Sequence, residues 1–136
     1  MADAYLDSNI VIALLEDDAA RKSALLSRLA ELTGADGRCV VSDLVRLECR
    51  VKPMATGDAA LLHDYDDYFA SPDVTCITLT ASVFDQATAV RAAHRYPVAD
   101  ALHLAAALEA GCAVFVTADR QLSGFPGIAV ALLSSA

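Results

Sequence analysis

The chain has 136 residues, of which 56% are hydrophobic, and a formal net charge of −8 at pH 7. This length suits one domain with a hydrophobic core, so we predict a single domain over residues 1–136. The acidic balance argues against a general nucleic-acid binder, because binding to phosphates normally requires a basic surface.

No membrane span or secretion signal is predicted. The longest apolar stretch, Val98 to Ala118, is interrupted by Asp100, His103 and Glu109, and the N-terminus has no basic region ahead of its apolar run. We therefore expect a soluble, cytoplasmic protein. The four cysteines stand far apart without a CxxC pair, which favours reduced core residues over a disulfide framework or a zinc site.

The first half of the chain predicts strands followed by helices. The segment AYL predicts a short strand that runs directly into a helix in DSNIVIALLE. A second helix is predicted over Ala19–Thr33. RCVV then predicts a buried strand, and Ser42 is a good N-cap for a helix that continues to about Arg50 and is ended by Pro53.

The second half continues the same alternation. Helices are predicted over 57–70, 81–96 and 98–110, and strands in VTCITL, AVFV and IAVALL. Strands that are apolar throughout and separated by helices predict an α/β fold, with a mostly parallel central sheet flanked by helices on both faces.

Three acidic residues fall at or near predicted strand ends. Asp7 follows AYL directly, Asp119 follows AVFVTA, and Asp100 opens the helix after Pro97. Parallel sheets bind ligands beyond the carboxyl ends of their strands, so these acids are candidates for chemistry.

A fourth acid, Glu48, lies beside the buried stripe of its helix, four residues after Leu44 and one after Leu47. Asp100 similarly heads an apolar ridge that continues at Leu104 and Leu108. An isolated charge in such a position would be costly.

Each acid has an ordinary alternative explanation. Asp7, Asp100 and Asp119 are suited to capping helices or to their first turns, and Glu48 could pair with Arg46 or Arg50.

The set of four is harder to explain in that way, because carboxylates gathered at one edge of the sheet repel one another unless a positive charge lies among them. Oxygen-only ligands select a hard cation such as Mg²⁺ or Mn²⁺. With no Ser/His nucleophile pair and no Gly-rich phosphate loop apparent, metal-assisted attack of water on a phosphodiester fits best.

Two basic groups on helical faces could assist binding to nucleic acid. They comprise Arg46, Arg50 and Lys52, and then Arg91 and Arg95 with His94 between them. We predict Arg46 and Arg50 as substrate-binding residues; the alternative is that both groups are solvated helix faces. His103, one turn after Asp100, is expected to be a hydrogen-bonded or orienting neighbour rather than a metal ligand.

Three segments, YLDSNIVIALL, VSDLVRLEC and PVADALHLAAALEAGCAVFVTADRQL, make the whole chain resemble the PIN-domain family. More narrowly, it resembles the VapC toxins of bacterial toxin–antitoxin pairs. The resemblance implies a PIN-like three-layer fold and a Mg²⁺- or Mn²⁺-dependent endoribonuclease. It also implies a homodimer that is neutralised by a cognate antitoxin covering the active-site cleft.

The same resemblance assigns roles to individual residues. The family's acidic positions, with catalytic and metal-binding roles, are matched by Asp7, Glu48, Asp100 and Asp119. Ser8 and Thr117 match positions where the family carries small hydroxyl residues, which implies a supporting role. The last motif departs from the family, with Ala118 where Asn is frequent and Gln121 where a further acid is frequent. This departure leaves two alternatives for Asp119, a direct metal ligand or a residue that acts on the metal through water.

Other functions remain open from the residues alone. A DNA-directed nuclease is the closest rival, because the acids do not separate RNA from DNA as the substrate. A catalytically silent binding module would keep the fold and its partner surface. A phospho-accepting signalling domain is disfavoured, because VTCITLTAS ends without an acceptor Asp.

Overall fold

Five short strands form one sheet in a computed structural model that describes residues 2–133. The strands are β1 (Ala4–Leu6), β2 (Cys39–Ser42), β3 (Val74–Ile77), β4 (Val114–Thr117) and β5 (Ala129–Leu132). Their order is β3-β2-β1-β4-β5, and every neighbouring pair is parallel. The expected mostly parallel sheet is confirmed. The predicted domain 1–136 also includes residues 1 and 134–136, which lie outside the described residues.

Within the described residues, six α-helices flank the sheet: α1 (Ser8–Glu16), α2 (Ala19–Thr33), α3 (Asp43–Thr56), α4 (Ala59–Ala70), α5 (Ala81–His94) and α6 (Val98–Glu109). Helices α1 to α4 pack on one another, and α5 packs on α6, which in turn contacts β2 and β4. With right-handed crossovers, the first four helices cover one face and the last two cover the other. The result is the predicted three-layer α/β architecture.

Along the chain, the sheet first grows from β1 through β2 to β3, and it then adds β4 and β5 on the opposite side of β1. The strand order therefore reverses between β1 and β4. In open α/β sheets, the crevice outside the carboxyl ends of the strands at such a point is the usual ligand site. Both strands are fully apolar or nearly so, and Tyr5, Leu6, Phe115 and Val116 are wholly buried between the helical layers.

The predicted end of α3 at Pro53 is wrong. The helix runs through Pro53 to Thr56, and the proline is buried. Its missing N–H removes one helical hydrogen bond, yet packing keeps the helical course. The helix ends instead at Gly57, whose φ of 71° is a left-handed conformation that glycine adopts without steric cost.

Ser42 stands at the predicted N-cap of α3, but its side chain makes no capping hydrogen bond. Its hydroxyl is engaged elsewhere, as described below. All four cysteines carry free thiols. Among the described residues, no helix is both long and apolar enough to cross a membrane.

We expect Gly37→Ala to lower the free energy of unfolding by about 1–3 kcal/mol, the range typical of overpacking. A Cβ at Gly37 would lie 2.2 Å from the carbonyl oxygens of both Ala2 and Thr33, so the backbone must shift. Gly124→Ala is the matched control, because nothing lies within 4 Å of a Cβ there. Urea unfolding measures both, and equal midpoints would show that the Gly37 segment accommodates a side chain.

Candidate active site

Asp7 is held at the junction of β1 and α1. The register pairs Leu6 with Val116, and the Asp7 amide donates to the Val116 carbonyl at 2.9 Å. The buried carboxylate accepts from the Ser8 amide at 2.8 Å through Oδ1 and from the Thr117 hydroxyl at 2.8 Å through Oδ2. Asp7 therefore caps α1, as its alternative explanation held, and at the same time bridges two strand ends.

Glu48 reaches the same region from α3. The Ser8 hydroxyl donates to its Oε1 at 2.6 Å, and Nε2 of His103 lies 2.6 Å from that same oxygen. Neither Arg46 nor Arg50 pairs with it. The hydrogen bond from His103 is the main cause of the lowered pKa of Glu48, with burial opposing it and the Ser8 bond adding to it.

The two hydrogen bonds to Glu48 fall on one oxygen. Among residues 2–133, no donor contacts Oε2. A carboxylate offers about four lone-pair directions, so Glu48 keeps an oxygen for a cation or substrate.

Asp100 lies in the first turn of α6 and is partly buried. Its carboxylate makes no hydrogen bond or ion pair within the described chain. Burial is the main cause of its raised pKa, followed by the negative charges of Asp7 and Asp119, while His103 acts in the opposite direction. Glu48 raises the pKa of Asp100 further. The other three predicted acids thus act on Asp100 electrostatically, and His103 opposes their effect only in part.

Asp119 follows β4 and begins a short 3₁₀ helix (Arg120–Leu122). Its Oδ1 accepts from the Gln121 amide at 2.9 Å, and its own amide donates to the Thr117 hydroxyl oxygen at 3.0 Å. Thr117 therefore links Asp119 to Asp7. One oxygen of Asp119 is used as a cap.

Asn9 is a site residue that the sequence analysis missed. Its Oδ1 accepts from the Ala118 amide at 3.1 Å, and its Nδ2 lies 3.4 Å from both Asp7 Oδ2 and Thr117 Oγ1. It stands two residues after Asp7, on the first turn of α1, and no pattern in the sequence pointed to it.

Arg46 and Arg50 lie on the side of α3 that faces α4. Arg46 pairs with Asp43 at 3.4 Å and Arg50 with Asp66 at 3.2 Å. Together these four residues line an open cavity of about 520 Å³ that none of the four acids lines. The structure therefore does not bring the predicted substrate-binding arginines against the carboxylates.

The residues fit a divalent cation by donor chemistry. Within residues 2–133, no group of three or more His, Cys, Asp or Glu side chains is arranged as a ready metal cage. The acids nevertheless provide only oxygen donors, which Mg²⁺ and Mn²⁺ prefer, and Asp100 and Glu48 Oε2 are unengaged in that part of the chain. Their mutual repulsion is the electrostatic condition that a cation relieves.

Comparisons with known proteins agree with this architecture. The model of the PIN domain family matches residues 4–128. A toxin–antitoxin complex from Klebsiella pneumoniae has a similar structure, with a TM-score of 0.74 at 16% identity over 98% of both chains. No curated protein matches by sequence.

Two further structures are similar. VapBC2 from Rickettsia felis, bound to a DNA fragment from its promoter, gives a TM-score of 0.77 at 16% identity over 96% of this chain and 98% of that one. The Mycobacterium tuberculosis toxin VapC20, which cleaves the sarcin–ricin loop, gives 0.66 at 18% identity over 83% and 87%. At such identities, these likenesses establish the fold alone.

We expect metal-free Asp100→Asn to melt at or above the wild type at neutral pH. Because folding raises the pKa of Asp100, the native state binds its proton more tightly than the unfolded chain, and the ionised form costs stability. This cost falls as pH drops through the raised pKa, so the advantage of the variant should shrink there. Mg²⁺ or Mn²⁺ should raise the melting temperature of the wild type more than that of the variant.

Glu48→Gln is the control of opposite sign. The lowered pKa of Glu48 contributes stability that is present above the unfolded value and lost as pH falls through the folded one, so this variant should melt below the wild type at neutral pH. Thermal melts in chelator across the acidic range measure both. If Asp100→Asn were destabilising and metal shifted both proteins alike, Asp100 would be a helix-start residue only.

Proposed function

The chain belongs to the PIN domain family, and from that premise we propose that it is a Mg²⁺- or Mn²⁺-dependent endoribonuclease acting as the toxin of a type II toxin–antitoxin pair. The observation that carries the proposal is the carboxylate of Asp100, which has no hydrogen-bond or ion-pair partner among the described residues. It is partly buried near three other acids, and burial, followed by the charges of these acids, raises its pKa. A site built in this way has a use for a cation and is strained without one.

In this proposal, Asp7, Glu48, Asp100 and Asp119 would hold the cation. When bound, the metal would supply positive charge to a phosphodiester and make water a stronger nucleophile at neutral pH. Ser8 and Thr117 keep Glu48 and Asp7 in place through their hydroxyls. Asp7 is only 6% exposed, which limits the access of bulk water to its two carboxylate oxygens.

RNA is the proposed substrate. VapC20, one of the structural neighbours, is a sarcin–ricin loop cleaving toxin, which supports RNA over DNA. Arg46 and Arg50 would contact the RNA backbone at some distance from the acids, and would exchange their Asp43 and Asp66 partners for phosphate.

An antitoxin and a second copy of the chain are the proposed partners. Two of the structural neighbours come from toxin–antitoxin assemblies, which supports a cognate antitoxin. An acidic cleft favours a partner segment that brings a basic side chain to the carboxylates. The outer face of α3 exposes Leu47, Val51 and Met54, one helical turn apart, which supports a protein interface such as a homodimer.

We expect the protein to cleave RNA only with Mg²⁺ or Mn²⁺ and to lose cleavage in excess chelator. Asp7→Asn and Asp100→Asn should each lower the rate at least about a hundredfold, the scale of losing a preorganised charge-stabilising group. Asp119→Asn should do less damage, since this residue is partly used as a cap. Mapping of the cleaved ends of structured cellular RNAs measures the activity.

Asp64→Asn is the matched control and should cleave like the wild type. Asp64 is an exposed acid of α4 that lies outside the carboxylate cluster of Asp7, Glu48, Asp100 and Asp119. Undiminished cleavage in chelator would rule out the metal mechanism. Equal losses in Asp119→Asn and Asp100→Asn would show that Asp119 binds as directly as Asp100. Cleavage of DNA in preference to RNA would favour the alternative of a PIN nuclease without a toxin role.

Production of the protein alone should arrest growth of its host, and a small protein encoded beside it should restore growth by binding. Asp7→Asn should be harmless at the same protein level, because the arrest requires cleavage. Growth curves with immunoblots measure this. If wild type and Asp7→Asn are equally harmless without a partner, the toxin role fails while the nuclease can survive.

A further inference from the structure

A buried chain of polar side chains lies directly beneath the carboxylates. Ser42 Oγ lies 2.8 Å from the Tyr5 hydroxyl, which lies 2.8 Å from His103 Nδ1. His103 Nε2 continues the chain to Glu48 Oε1 at 2.6 Å and lies 3.7 Å from Asp7 Oδ1. The first three residues are at most 2% exposed. They come from β1, β2 and α6, so the chain ties three elements to the acid that α3 carries.

Ser42 gives up a helix-capping hydrogen bond to join this series of polar side chains. It occupies the N-cap position of α3, yet its hydroxyl binds Tyr5 instead of capping the helix. A serine cap contributes about 1 kcal/mol to helix stability. Forgoing that contribution indicates that the hydroxyl is placed for Tyr5.

Tyr5 is fixed in two ways. Its ring stacks on Phe115 with centroids 5.5 Å apart, and its hydroxyl stands between Ser42 and His103. Because both its ring and its hydroxyl are held, Tyr5 has little freedom to move and restricts the orientation of the His103 ring.

This series of hydrogen bonds also determines which ring nitrogen of His103 carries a proton. An ionised Glu48 only accepts hydrogen bonds, so the 2.6 Å contact requires a proton on Nε2 of His103. Since Ser8 donates to the same Oε1, both donors hold one oxygen of Glu48 and leave Oε2 unengaged among the described residues.

We propose that His103, held by Tyr5 and Ser42, is a positioning residue that donates from Nε2 to Glu48 Oε1 and thereby presents Oε2 to the carboxylate cluster. This inference rests on the proposed function, since presentation of Oε2 matters only if the cluster binds a cation. His103 acts through Glu48 and does not contact the cation or the RNA.

The first test uses metal-free full-length protein and NMR of ¹⁵N-labelled histidine at neutral pH. We expect a slowly exchanging Nε2 proton on His103 in the wild type, and faster exchange of that proton in Tyr5→Phe and in Ser42→Ala. His103→Gln assigns the signal. The ring packing of Tyr5 is kept in Tyr5→Phe, and Ser42→Ala is a milder second variant should the first fold poorly.

The second test measures Mn²⁺ affinity by electron paramagnetic resonance in a double-mutant cycle. Tyr5→Phe should weaken Mn²⁺ binding about tenfold in the wild type, the lower end of the effect of losing a partner that orients a ligand. In a Glu48→Gln background the same change should have no further effect. Tyr65→Phe is the matched control: it removes another buried tyrosine hydroxyl, one that donates to Glu16 away from the cluster.

The outcomes separate this inference from the proposed function. A ring proton on Nδ1 alone, or exchange unchanged by Tyr5→Phe, overturns the positioning role whatever the activity. Equal weakening of Mn²⁺ binding in both backgrounds also overturns it, because it indicates general loosening. If the NMR result holds but the wild type neither binds Mn²⁺ nor cleaves RNA, the proposed function fails, and the role of presenting Oε2 to a cation fails with it.

Discussion

The parallel pairing of β1 with β4 is the constraint on which the candidate site depends. It sets Leu6 level with Val116, so that Asp7 and Thr117 emerge side by side and hydrogen-bond at 2.8 Å. No loop separates β1 from α1, and Asp7 is the single residue between them. A carboxylate placed between two rigid elements has little freedom. Its neighbours extend this order, because Ser8 binds Glu48 and Thr117 binds the Asp119 amide.

The four neighbouring carboxylates differ in how many hydrogen-bond donors stabilise their negative charge. Asp7 and Glu48 each accept from several donors, and Asp119 is tied to Thr117 through its backbone. Asp100 has no such donor in the described chain, and burial together with the charges of its acidic neighbours raises its pKa. Asp100 therefore carries electrostatic strain on the first turn of α6, where the positive end of the helix dipole offsets part of it.

The sequence was sufficient for the sheet and the order of elements, because apolar strands between helices permit few topologies. It also pointed to the four acids, whose catalytic and metal-binding roles stay predictions, but it was insufficient for the polar side chains beneath them. Tyr5 lies within an apolar strand and His103 within an apolar helix, so periodicity assigns both simply to the core. Ser42 was misjudged for the same reason: an N-cap is a local inference, whereas its actual partner is distant in sequence. Pro53 shows that burial can override a helix-ending signal.

Ion pairs between arginines and carboxylates limit the positive charge that this acidic protein can offer to a phosphate. Of the ten Lys and Arg residues, five arginines pair with carboxylates in the described part of the chain. Those pairs include Arg46 and Arg50, and they are solvent-accessible, so each contributes little to stability and can be exchanged for phosphate at small cost. Exchange leaves a carboxylate behind, however, and the net charge of −8 is unchanged by it. In the proposed mechanism, a divalent cation among the four acids would supply further positive charge for attracting the phosphate.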